Sequence, residues 1–141
     1  EAHQIDEAMG YLQTAQTLSE RMGDEAGQAE ARRSLAAVHI SQGRLKEAAS
    51  AANEALELAE RAGEPILRAE ARLTMAALHD AQNKASQAKS SYEEAIAMLE
   101  KADAPQALAD AYASYSSFLE AHGESKLALE LLKRAWNLTN G

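Results

Sequence analysis

Four histidines and a surplus of carboxylates are the side chains of this sequence with chemistry to offer. His39 and His79 stand forty residues apart; His3 and His122 stand alone. A metal reading pairs His39 with His79. Zinc takes three or four ligands, and no carboxylate joins both histidines three or four residues on. Asp80 is next to His79 and so points elsewhere on a helix. The plainer reading makes both histidines core positions of two successive structural units. Glu93 and Glu94 are neighbours in sequence, so on a helix they diverge and belong to a solvated face. No Gly-rich phosphate loop, nucleophile elbow or HExxH pattern is present. The cysteine count is zero, which removes thiolate nucleophiles, thiolate metal sites and disulfides. The sequence therefore predicts no catalytic residue, no metal and no cofactor, and the expected class is not an enzyme.

What these residues sit on follows from composition and period. The chain has 141 residues, the length of one domain. Its apolar fraction is 46%, yet aromatics are 4% and alanines number 33. A core of such small side chains suits helix packed closely on helix. Two prolines and seven glycines argue against collagen-like and disordered classes, and an all-β fold is disfavoured. No apolar run approaches the roughly 18 residues of a membrane span. No secretory signal pattern opens the sequence, and the expected location is cytoplasmic. The net charge of −8 argues against nucleic acid as a partner.

The sequence repeats every forty residues. Residues 47–64, EAASAANEALELAERAGE, align without a gap with 7–24, EAMGYLQTAQTLSERMGD, with 87–104, QAKSSYEEAIAMLEKADA, and with 127–141, LALELLKRAWNLTNG. Between them lies a second set: 25–42, 65–82 and 105–122. Each segment has one apolar face at helical spacing, as in Ala29, Arg32, Leu35, Ala36 and His39, where Arg32 lends its aliphatic stem. Gly43, Asn83 and Gly123 are placed to end the first helices, and Gly23 and Gly63 to end the second. Pro65 and Pro105 open helices, where the missing N–H costs nothing. These signals predict helices at 4–22, 25–42, 45–62, 65–82, 85–102, 105–122 and 125–139. Short loops make successive helices antiparallel, and stacked hairpins make a solenoid.

The small and large positions carry a resemblance. Leu35-Ala36, His39, Gly43, Ala48, Ala52 and Ala55-Leu56 are followed in register by Met75-Ala76, His79, Asn83, Ala88, Tyr92 and Ala95-Ile96. The last set is Tyr115-Ser116, Leu119, Gly123, Ala128, Leu132 and Ala135-Trp136. This resembles the tetratricopeptide repeat, with His39 and His79 where that family usually has Tyr. The forty-residue unit is similar to the long-helix variant of kinesin light chains, Pins-type polarity scaffolds and bacterial signalling regulators. The resemblance implies an all-α, right-handed superhelix of about seven antiparallel helices. It divides residues 1–141 into a half repeat at 4–22 (second helix only) and full repeats at 25–62, 65–102 and 105–139.

The resemblance also implies that the first helix of each hairpin lines a concave, partner-binding groove. The matching positions are Glu30, Arg33, Ser34, Ala37 and Ser41, then Glu70, Leu73, Thr74, Ala77 and Ala81, then Asp110, Ala113, Ser114, Ser117 and Ala121. Their spacing makes one helical stripe that avoids the core stripe. Ala37, Ala77 and Ser117 would give a smooth floor, and Glu30, Glu70 and Asp110 an acidic row suited to a basic partner. The Lys and Asn of chaperone-type grooves that grip a C-terminal carboxylate are missing from these positions. At the end of the chain, 125–139 carries Leu127, Leu129, Leu131, Leu132, Trp136 and Leu138, an apolar face too wide for one neighbour. Leu127, Leu131, Trp136 and Leu138 are therefore candidates for self-association, or the sequence is a piece of a longer array. Tyr112, Tyr115 and Phe118 are expected inside their hairpin. The expected function is a non-catalytic scaffold that binds a protein or peptide, with a sensory or regulatory domain of a larger signalling or transcription protein as the alternative.

Overall fold

The computed structural model describes residues 2–140. Among them are seven helices and no strand: α1 (Ala2–Met22), α2 (Glu25–Ser41), α3 (Leu45–Ala62), α4 (Pro65–Ala81), α5 (Ala85–Lys101), α6 (Pro105–Ala121) and α7 (Ser125–Asn140). The fold is an all-α array of helical repeats. The helix bounds agree with the sequence expectation to within two residues.

The turns keep the period as strictly as the helices do. Left-handed backbone falls at Gly23, Gly43, Gly63, Asn83, Asp103 and Gly123, one position every twenty residues. At Gly43, Asn83 and Gly123 the next residue's amide reaches back to the carbonyl of His39, His79 or Leu119, at 2.8–2.9 Å. This closes the helix end and turns the chain. Asp103 was not anticipated, because an Asp there replaces the more usual Gly or Asn. At the start of α2 the Asp24 carboxylate accepts the Gly27 amide at 2.9 Å. A Cβ on Gly27 would lie 2.4 Å from that carboxylate, so a larger residue here would displace the capping side chain.

Small residues set the helix spacing. Ala36, Ala48, Ala55, Ala76, Ala88 and Ala95 are all 0% exposed. In the third repeat Ser116 takes the place of Ala36 and Ala76. Its buried hydroxyl donates to the Ala128 carbonyl at 2.8 Å, which ties α6 to α7. The core is uneven along the array. Around α2 and α3 it consists of small alanine and leucine clusters. From α4 to α7 it is one larger cluster around Tyr92, Tyr112, Tyr115 and Phe118. The Tyr92 and Tyr115 rings stack at 5.0 Å, and Phe118 lies 5.3 Å from Tyr92. The expected burial of Tyr112, Tyr115 and Phe118 is found.

Each helix packs on its neighbours in sequence, and α4 also touches both α2 and α6. Among the described residues no Cα of one second helix (α1, α3, α5, α7) comes within 8 Å of another. The inner row of first helices is closed and the outer row is splayed. An array packed this way curves, with α2, α4 and α6 on the concave side.

The close approach makes a direct prediction. Ala95→Leu should overpack the hairpin and cost about 1–3 kcal/mol. Ala97→Leu, on the exposed side of the same helix, should be nearly neutral. Thermal unfolding of the two variants checks the pair.

Candidate interaction surface

The side chains with chemistry are used for cohesion. His39 is buried and His79 half-buried, both in the core slots expected of them. Their Nδ1 atoms are buried without a partner. Among the described residues no three His, Cys, Asp or Glu side chains gather as metal ligands. Asp80 does point away from His79. It meets His122 instead, Oδ1 to Nε2 at 3.0 Å, which joins the second hairpin to the third. Glu93 and Glu94 diverge as expected, but solvent is not their only neighbour. Glu93 accepts the Tyr115 hydroxyl at 3.2 Å and Glu94 accepts Arg72 Nε at 3.0 Å. Burial first, then the Glu93 charge, pushes the Tyr115 phenol far above its ordinary value.

An ion-pair motif that the sequence reading missed repeats with the array. Arg32 on α2 reaches Glu20 on α1 at 3.8 Å and hydrogen-bonds Glu54 on α3. Forty residues on, Arg72 on α4 reaches Glu60 on α3 at 2.7 Å and Glu94 on α5 at 3.0 Å. Each arginine thus bridges the second helix before it and the one after it. In the third repeat the arginine is Tyr112. Its hydroxyl donates to Glu100, the counterpart of Glu60, at 3.1 Å. Arg134 replaces the second glutamate and lies on the other side of Tyr112. Hydrogen bonds from Arg68 and then Arg72 hold the Glu60 carboxyl below its usual range.

The concave side carries a depression of about 510 Å³. Its walls come from all three first helices: Arg33, Ala37 and Ser41 of α2, Glu70, Leu73, Thr74 and Ala77 of α4, and Asp110 and Ser114 of α6, together with Ile40. Residues nominated from three separate segments therefore share one surface. Ile40 was not nominated; it lies three residues after Ala37, which was signal enough. Glu30, Ser34, Ala81, Ala113, Ser117 and Ala121 do not line this depression. Ser117 lines another, between α6 and α7, so the small-residue floor is interrupted.

The acidic row is weaker than its sequence suggests. Arg33 Nη2 lies 3.9 Å from both Glu30 and Glu70 and bridges them. Asp110 accepts the Gln106 amide at 3.3 Å. Among the described residues no cation lies against it. The groove therefore runs from a neutralised end at α2, past apolar Leu73 and Ile40, to an acidic end at Asp110.

The terminal helix needs one correction. Leu131 is 4% exposed and packs inside the α6–α7 hairpin, so it is withdrawn from the self-association set. Leu129 and Leu132 are exposed in its place. Trp136 is 66% exposed, and Leu127 and Leu138 lie at the margin of exposure.

No protein-family model matches the sequence. No curated protein matches it either. Among solved structures, the chain is similar to the crystal structure of BtubC (BKLC) from P. vanneervenii. The TM-score is 0.74 at 19% identity, over 97% of this chain and 57% of that one. The likeness is one of fold, and the chain spans a little over half the length of BtubC. No helix is long and apolar enough to cross a membrane, among the described residues.

Two predictions follow from these polar groups. The third repeat has fully buried Leu119 where the first has His39. His39→Leu should raise the melting temperature, since an unpaired buried polar atom costs about 1–3 kcal/mol. A carboxyl held below its usual range adds stability above that range and loses it as pH falls through the folded value. The melting-temperature gap between wild type and Glu60→Gln should thus be widest at neutral pH. It should close below the carboxylate range.

Proposed function

We propose that the chain is a non-catalytic interaction module of the tetratricopeptide kind, which holds a helix or extended peptide of a partner protein on its concave side. The observation that carries this is the shared depression. The same helical stripe contributes to it from α2, α4 and α6, each helix through its own subset of the stripe positions. A surface built by register rather than by one loop suits an elongated ligand. The forty-residue register, the fully buried alanines and the inward row of first helices support the family reading.

The groove chemistry narrows the ligand. Leu73 and Ile40 offer an apolar seat, and Asp110 an acid without a cation. The ligand that fits carries an apolar side chain and, further along, Lys or Arg. Small floor residues let its backbone lie close. Peptides selected from a random display library on the wild-type chain should be enriched in basic residues. In calorimetry, Asp110→Lys should weaken their binding about tenfold, equivalent to about 1.4 kcal/mol. Leu73→Glu should weaken it further. Selected peptides that bind both variants as well as wild type would place the binding surface outside the groove.

A further inference from the structure

Three acids hold one register on the first helices: Glu30 on α2, Glu70 on α4 and Asp110 on α6. Of the residues that wall the concave depression, Arg33 alone is basic. Arg33 is in register with Leu73 and Ala113, so the array repeats without a base at this place. Arg32 and Arg72, one position earlier in the register, belong to the packing; Arg33 does not. It is also loosely held. Its Nη2 lies 3.9 Å from Glu30 and from Glu70, close enough for attraction but too far for a hydrogen bond. Its Nε is buried with no partner. Arg72 shows what a fixed arginine looks like in this array. Its Nε meets Glu94 at 3.0 Å, and its Nη1 meets Glu60 at 2.7 Å and the Arg68 carbonyl at 3.1 Å. Water would satisfy the donors that the fold leaves bare on Arg33. The side chain therefore loses little by swinging out, and its departure uncovers Glu70 in the same depression as Asp110.

We propose that Arg33 is a built-in competitor of the ligand: it covers Glu70 while the groove is empty and gives way to a base of the bound peptide. The tight ligand then carries two bases, one for Glu70 and one for Asp110, with its apolar side chain on Leu73. Packed helices stand about 8–10 Å apart. Two bases on one side of a peptide match that step at three residues in polyproline II, about 9 Å, or at seven in an α-helix, about 10 Å. A peptide with one base settles on Asp110 and leaves Arg33 where it is. The contact thus makes the groove select for paired bases. The inference rests on the peptide-binding reading of the groove and adds to it a class of peptide and a residue that enforces the choice.

The test is a random peptide display library panned on Arg33→Ala, followed by calorimetry of the recovered peptides on each variant. Alanine already stands at this register in Ala113, so helical content by circular dichroism should be unchanged. The recovered peptides should carry two bases at one of the two spacings. They should bind Arg33→Ala about tenfold more tightly than wild type. Adding Glu70→Gln to Arg33→Ala should cancel that gain, because the uncovered acid is its source. Asp110→Lys should weaken binding with Arg33 present or replaced. Equal or weaker binding to Arg33→Ala, or a gain that survives Glu70→Gln, would overturn the proposal and leave the groove reading standing, provided Asp110→Lys still weakens binding. An empty selection, or peptides indifferent to Asp110→Lys, would remove the groove reading and this proposal with it.

Discussion

The whole array rests on how closely two helices can approach. Where they cross, the space between backbones admits a methyl group and little more. Ala36, Ala48, Ala55, Ala76, Ala88 and Ala95 fill that space and are sealed from solvent. Ser116 shows the tolerance of the rule: a hydroxyl fits because it finds the Ala128 carbonyl at once. From this constraint come the antiparallel hairpins, the equal step from one to the next, and the alignment of groove positions forty residues apart. The low aromatic content is the compositional trace of the same fact.

Charge fixes register more than it adds stability. Exposed ion pairs are worth about 0.2–1 kcal/mol each. What distinguishes Arg32 and Arg72 is their placement, each reaching glutamates on the helices before and after it. A hairpin shifted by one residue would lose both partners. The third repeat keeps the site and changes its members, with Tyr112 between Glu100 and Arg134. Bulk grows at the same point, because Tyr115 and Phe118 stand where the second repeat has Met75 and Leu78.

Most of the fold was legible because it is written in punctuation and small residues. Gly43, Asn83, Gly123, Pro65 and Pro105 mark helix ends for local reasons, and the alanine register needs no distant partner. The groove stripe was legible for the same reason, since helical spacing alone puts Arg33, Ala37 and Ser41 together. What stayed hidden depends on neighbours distant in sequence. Nothing local says that Arg33 will bridge Glu30 to Glu70, or that Arg32 will find Glu54. The periodic Glu20, Glu60 and Glu100 did hold that signal. Leu131 misled because four leucines between 127 and 132 cover so much of the helix circumference. Its counterpart Ala51, itself buried, already marked the inward side.

The uneven core has a consequence for biosynthesis. Of the seven helices a ribosome delivers α1 before the others, and none of its side chains is fully buried. The fully buried hydrophobic clusters of the helices that follow are made of alanine and leucine. The rings that bind α4 to α7 include Tyr112, Tyr115 and Phe118, and so emerge late. Cohesion thus increases in the direction of translation. A nascent chain halted before residue 105 lacks the α6 half of its best-packed interior and leaves Tyr92 and Ile96 bare.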